Sequence, residues 1–211
     1  MPGLTPKKPN LSCCSKLPKG YQISERQAFT DDSWKTAFIG QTIFKPYEPN
    51  QYWYDGKNEI LVFPRHRKVE YFNNRNLPRT FYVGLIDRLC GEFQDCLIRT
   101  IGTKKGAYDI TEVEIERHNY SNFVGWTSIE DLIWRTQFAI GAVGSQSFPL
   151  KLSLLQGVPS FVIGHEKFRH VRSENWMKTR VGFYEIGRDG YNDFYSEDCI
   201  DKIVKFLKEG K

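Results

Sequence analysis

The 211-residue chain has no apolar run of membrane-spanning length, and its first residues, MPGLTPKKPN, lack the apolar stretch of a signal peptide. Its five cysteines, Cys13, Cys14, Cys90, Cys96 and Cys199, follow neither metal-ligand spacing nor a paired framework, and their number is odd. These absences argue against a membrane span, a disulfide scaffold and a zinc module. They predict a reducing, cytoplasmic setting in which Cys13 and Cys14 are adjacent thiols. There the sequons Asn10-Leu11-Ser12 and Asn119-Tyr120-Ser121 carry no glycan. The net charge of +5 is spread along the chain. It favours an anionic ligand but forms no dense basic stripe, so specific nucleic-acid binding is not expected.

Several signatures are missing as well. No GxGxxG follows a first strand, which argues against a dinucleotide oxidoreductase, and no GxxxxGK[ST] marks a P-loop. The run Gly144-Ser145-Gln146-Ser147-Phe148 fails the GxSxG elbow. His165-Glu166 and His170 have HExxxH spacing, not HExxH, which rotates the imidazoles off a common helix face and removes the zinc reading. No metal and no cofactor are expected.

What is present is the composition of a folded protein, 40% hydrophobic and 15% aromatic, long enough for one sizeable core. Residues 1–58 show no steady period. They comprise a Pro/Lys/Ser-rich leader, a possible strand over Thr36 to Phe44, a turn at Pro46 to Asn50 and the aromatic cluster Tyr52-Trp53-Tyr54. From residue 59 the pattern becomes regular. Strands are expected at Ile60 to Phe63, Cys96 to Ile101, Glu112 to Glu116, Phe138 to Val143, Phe161 to Ile163 and Gly182 to Ile186. Helices are expected near Arg79 to Phe93, after a capping box at Thr127 to Glu130, over Phe148 to Gln156, over about Lys167 to Lys178 and over Ser196 to Lys208. Ser147 is a plausible N-cap, Pro149 falls in a first turn and Gly157 suits a helix stop. Strands alternating with helices predict an α/β, Rossmann-like open parallel sheet with helices on both faces, in one domain over residues 59–211.

In such sheets a ligand lies beyond the carboxyl ends of the strands, where strand order reverses. That rule gathers loops from distant parts of the chain. Arg65, His66 and Arg67 follow the first strand, and Lys104 and Lys105 the second. Tyr120, Phe123 and Trp126 surround the third, Ser145, Gln146 and Ser147 follow the fourth, and His165, Lys167, Arg169 and His170 the fifth. Cations, a hydroxyl-rich helix start and aromatic rings on one edge suit a phosphorylated ligand with a flat ring.

At these residues the chain resembles the C-terminal, nucleotide-sugar-binding half of GT-B glycosyltransferases. The resemblance rests on Phe63-Pro64-Arg65-His66-Arg67, Thr127-Ser128-Ile129-Glu130-Asp131-Leu132, Val143-Gly144-Ser145-Gln146-Ser147 and Leu154-Leu155-Gln156-Gly157-Val158-Pro159-Ser160-Phe161. It implies a GT-B-like glycosyltransferase that binds a nucleotide-diphosphate sugar and transfers the sugar to an unknown acceptor without a metal. The base would lie against Phe123 to Trp126, and the diphosphate at Ser145, Gln146 and Ser147. Arg65 or Arg67 would offset the leaving diphosphate, with Arg65 the first choice. No dedicated base is evident; His66 is one catalytic candidate, and Asp31 and Asp32 are others. Two features depart from the family pattern. The helix Phe148 to Gln156 contains no acid, and residues 1–58 are too few for a second α/β domain. The opposite wall of the cleft would come from residues 1–58, taken as a remnant or partial acceptor region, or from a partner subunit or homo-oligomer. The alternative reading is a non-catalytic half-domain that binds nucleotide or serves assembly. A nucleotide-sugar epimerase shares the fold.

Overall fold

The computed structural model describes residues 58–68, 75–165, 179–186 and 196–209. The expected strand at Thr36 to Phe44, the charged helix near Lys167 to Lys178 and all readings of residues 1–57 lie outside them. Among the described residues the chain runs β1 (Asn58–Phe63), α1 (Arg79–Glu92), β2 (Cys96–Thr100), α2 (Glu112–Ile115), β3 (Tyr120–Asn122) and α3 (Ile129–Phe138). It continues through β4 (Ala139–Ser145), α4 (Phe148–Leu155), β5 (Ser160–Gly164), β6 (Val181–Glu185) and α5 (Ser196–Lys208). The six strands form one sheet in the order β3-β2-β1-β4-β5-β6, and every pairing is parallel. The order reverses between β1 and β4.

Parallel strands need helical crossovers, which bury both faces of the sheet. The apolar residues divide accordingly. Ile60, Val62, Ile98, Val143 and Ile163 face one core with α1 and α5, while Leu61, Phe63, Ala142 and Val162 face the other with α3 and α4. In α1, Phe81, Tyr82, Leu85, Ile86, Leu89 and Cys90 recur at helical spacing and are all buried. In α5, Ile200, Ile203, Val204 and Leu207 do the same, with Glu197 and Asp198 in the first turn and Lys205 and Lys208 in the last, the charge order that a helix dipole favours.

Helix ends explain where several segments stop. Helix α4 closes in a Schellman motif: the Gly157 N–H reaches the Leu154 carbonyl at 3.1 Å and the Val158 N–H reaches that of Ser153 at 3.0 Å. Gly157 adopts φ +82, a left-handed conformation that explains the glycine. Asn119 holds the turn between α1 and β2, its amide donating to the carbonyls of Cys90, Phe93 and Cys96 at 3.1–3.2 Å. That nitrogen is buried and engaged, so the Asn119 sequon is not available to a glycan.

Two local expectations are corrected. Glu112 to Glu116 is not a strand; four of its residues form the helical turn α2, ended by Glu116 at φ 51. The alternation of Val113 and Ile115 matches a strand period, but only Ile115 is buried, and Val113 is 82% exposed. The third strand lies instead at Tyr120–Asn122, paired with β2. The capping box of α3 is also displaced by one residue. Ser128 is the N-cap and Asp131 its reciprocal partner, because Thr127 Oγ1 is already donating to the Phe123 carbonyl at 3.1 Å.

A buried charge cluster sits on the α3 face of the sheet. Glu59 Oε1 accepts from Arg99 Nε at 2.8 Å and from Arg135 Nη1 at 2.7 Å, and all three side chains are buried. The Phe123 ring stacks on both guanidiniums, at 4.9 Å from Arg99 and 4.6 Å from Arg135. One carboxylate therefore offsets two cations in a low-dielectric site. Glu59→Gln should cost roughly 3–5 kcal/mol, read by urea denaturation, because it removes the buried carboxylate charge that both guanidiniums contact. A loss below about 1 kcal/mol would show that the cluster is well solvated.

Candidate functional site

The carboxyl ends of β1 and β4 are adjacent, with Phe63 in register with Gly144. A side chain at Gly144 would meet the Cβ and carbonyl oxygen of Phe63 at 3.0 Å, so glycine permits the close approach. Above this junction opens a cleft of about 530 Å³. Its floor is apolar, built from Phe63, Ile101, Leu132 and Phe148, and its cations are Arg65, Arg67 and Lys105. Thr103, Thr127, Ser128 and Ser147 supply hydroxyls, and no aspartate or glutamate lines it among the described residues. The starts of α3 and α4 both reach it, through Ser128 and Ser147.

The loops that carry the cations are held by backbone. Residues after β1 and β2 pair antiparallel at Arg65 and Ala107, with His66 N–H donating to the Gly106 carbonyl at 2.9 Å and Tyr108 N–H to that of Pro64 at 2.8 Å. The turn from Thr103 to Gly106 closes on a 2.9 Å bond and directs Lys105 into the cleft. Asn76 brackets Arg67 from the other side, accepting from its N–H at 3.0 Å and donating to its carbonyl at 2.9 Å. Arg75 reaches across to the Gln146 carbonyl at 3.4 Å, joining the loop after β1 to the turn after β4. Partial burial, then the neighbouring Arg67, lowers the Arg75 pKa.

The expected site residues separate into three groups. Arg65, Arg67 and Ser147 line the cleft, with Arg65 only 8% exposed. Ser147 occupies the N-cap position of α4, yet its hydroxyl makes no cap bond and has no hydrogen-bond partner. Ser145 and Gln146 are buried behind the turn and do not line the cleft; Ser145 Oγ and both polar atoms of the Gln146 amide also have no hydrogen-bond partner. The Gln146 side chain lies against Gly164 at the end of β5. His66, Phe123 and Trp126 fall outside the lining. His66 packs edge-on against Tyr108 with ring centroids 4.3 Å apart, and Phe123 is committed to the Arg99–Arg135 cluster. Trp126 is 83% exposed beside the lining residue Thr127.

Arg75, Asn76 and the apolar floor were not legible from the sequence. Asn76 does precede the Leu77-Pro78 stop before α1, a polar residue where a loop needs a side-chain brace. His165, at the end of β5, is buried and its Nδ1 lies 3.1 Å from the Ile186 carbonyl. Lys167, Arg169 and His170 lie outside the described residues. Among the described residues no group of three His, Cys, Asp or Glu side chains is placed to hold a metal ion, and no helix is long and apolar enough to cross a membrane. Cys90, Cys96 and Cys199 are buried free thiols, and burial pushes that of Cys90 up to about 12.

Solved structures with this sheet include E. coli ADP-heptose LPS heptosyltransferase II, at 15% identity and a TM-score of 0.52 over 92% of this chain and 56% of that one. E. coli heptosyltransferase WaaC with ADP-2-deoxy-2-fluoro heptose matches at 14% identity and 0.51, over 98% of this chain and 63% of that one. A putative UDP-N-acetylglucosamine 2-epimerase from Listeria monocytogenes matches at 11% and 0.52, over 86% and 44%. Like one half of the GT-B enzymes among these neighbours, the described residues form a Rossmann-like parallel α/β sheet. The chain spans about half the length of these structures. No protein-family model and no curated protein sequence matches it.

His66 offers a direct check on the loop. Partial burial, then Lys68 and Arg65, holds its pKa below the ordinary 6.5. The unfolded chain therefore takes up this proton first, so the histidine's contribution to stability is complete above pH 6.5 and lost as the pH falls through the folded pKa. NMR titration should give a His66 midpoint below 6.5; one at or above it would place an anion beside the ring.

Proposed function

We propose that the cleft binds a nucleotide-diphosphate sugar, and that residues 59–211 act as the donor-binding domain of a GT-B-like glycosyltransferase that passes the sugar to an acceptor. The observation that carries this reading is the meeting of Arg65, Arg67 and Lys105 with the starts of α3 and α4 over the β1/β4 junction, in a cleft that no carboxylate lines among the described residues. Oriented N–H groups, helix dipoles and guanidiniums all favour phosphate oxygens. The fold's occurrence in an enzyme solved with ADP-2-deoxy-2-fluoro heptose supports the same ligand class.

In this reading the sugar leaves a diphosphate whose terminal oxygen gains negative charge as the glycosidic bond lengthens. Arg65, largely buried, meets that charge where solvent screening is weak. Ser147 turns its hydroxyl to a phosphate oxygen, and the apolar floor with Trp126 at its edge receives the ring of the base. The acceptor and its base come from residues 1–58, where Asp31 and Asp32 are candidates, or from a partner subunit.

A second reading has an observation of its own. Among the described residues the cleft holds no carboxylate to act as base, and His66 faces Tyr108, which suits a half-domain that binds nucleotide without catalysing transfer. Release or transfer of sugar by the full chain would exclude that reading.

The test is thermal unfolding with ADP, UDP and GDP. At a hundredfold excess over Kd the bound nucleotide should raise Tm by about 5–10 °C. Arg65→Ala should weaken binding by roughly tenfold or more, and Ser147→Ala by a few-fold. Absence of a shift with all three nucleotides would remove the pocket reading.

A further inference from the structure

Resting on that reading, we infer that Arg75 and Asn76 are positioning residues that set the cleft to take a nucleoside diphosphate in preference to the monophosphate. The two are consecutive in the chain and hold two different walls. Asn76 accepts from the Arg67 N–H at 3.0 Å and donates to the Arg67 carbonyl at 2.9 Å, a pair of bonds like that between residues on neighbouring strands. The bonds join residues nine apart, so the loop after β1 is pinned at its neck beside Arg67. Arg75 Nη1 donates to the Gln146 carbonyl at 3.4 Å, 71 residues further along the chain. Gln146 immediately precedes Ser147, the N-cap of α4 and a lining residue. Its carbonyl shares a planar trans peptide with the Ser147 N–H, so a bond that fixes one fixes the direction of the other. One dipeptide thus ties the wall that bears Arg67 to the wall where α4 begins.

The separation of these walls matters because of what each carries. Arg67 shares its loop with Arg65, and like charges repel, so an untied loop would carry them apart. Arg75 stands close to them; partial burial, then the charge of Arg67, lowers its pKa. A monophosphate is a single compact group and meets one wall. A diphosphate has two groups, and with its ring on the apolar floor it reaches both Arg67 and the start of α4. Only a ligand that spans both walls gains from a fixed separation, because the cost of ordering the loop against the turn is then met before binding. The ties therefore act on the second phosphate and leave the ring and the first phosphate unaffected. Asn76 is itself only partly buried, and both apolar cores are built without it.

Isothermal titration calorimetry on the full chain decides this, comparing ADP with AMP, UDP with UMP and GDP with GMP. For whichever base binds, Asn76→Ala should weaken the diphosphate roughly fivefold and the monophosphate by less than about twofold, and Arg75→Met should do the same. In an Arg67→Ala background Asn76→Ala should add less than about twofold, since the side chain it positions is gone. Where the monophosphate is too weak to titrate, that cycle decides alone. Equal weakening of both ligands, weakening of neither, or the full loss retained in the Arg67→Ala background would overturn the inference while leaving the nucleotide pocket intact. Absence of binding by every nucleotide would instead overturn the pocket itself, and this inference with it.

Discussion

Strands β1 and β4 lie side by side although two strands and three helices separate them in the chain. Their pairing is the constraint on which the remaining geometry depends. It sets the reversal of strand order, and a reversal sends neighbouring connections to opposite faces, leaving a gap above the strand ends that neither connection fills. Gly144 lets the strands close onto Phe63 at that point. A larger residue there would displace the turn that leads into α4, and with it Ser147.

The same constraint explains why the loops at the cleft are braced so heavily. A gap lined by three cations is self-repelling, and flexible loops would relieve the repulsion by swinging their side chains into water. Here backbone pairing fixes the loops after β1 and β2 to each other, and Asn76 fixes Arg67. These braces are made by backbone groups and by the Asn76 amide. On the same face of the sheet Glu59 joins the guanidiniums of Arg99 and Arg135. The Phe123 ring stacks on both of those guanidiniums.

The sequence was most informative where one physical signal dominated. The apolar period of α5 and the Gly157-Val158-Pro159 stop of α4 are both local, and each expected element appears within a residue or two. It was misleading where two signals overlapped. Glu112 to Glu116 alternates as a strand would, but it folds as a helical turn with Val113 exposed, and Tyr120–Asn122 takes the place beside β2. For the site, parallel topology sufficed to select the loops but not the direction of side chains within them. Arg65 and His66 are neighbours in one loop; one lines the cleft and the other packs on Tyr108, a contact between two loops that no spacing encodes. Phe123 was expected at the ligand because an aromatic residue in that loop suits a base. Its partners, Arg99 and Arg135, come from strand β2 and helix α3, on either side of it in sequence, and no spacing pairs them with the ring.

The distribution of charge also separates binding from chemistry. Transfer of a sugar requires stabilisation of a departing anion and removal of a proton from the acceptor, and the two tasks need opposite charge. A carboxylate close to Arg65, Arg67 and Lys105 would be drawn to them, its pKa would fall, and it would become a poor base. The cleft is therefore suited to the first task to the degree that it is unsuited to the second. In a glycosyltransferase reading the base must lie beyond the reach of Arg65, Arg67 and Lys105, on chain that approaches from across the cleft. The lining, with no carboxylate among the described residues, then suits the donor side of such a cleft.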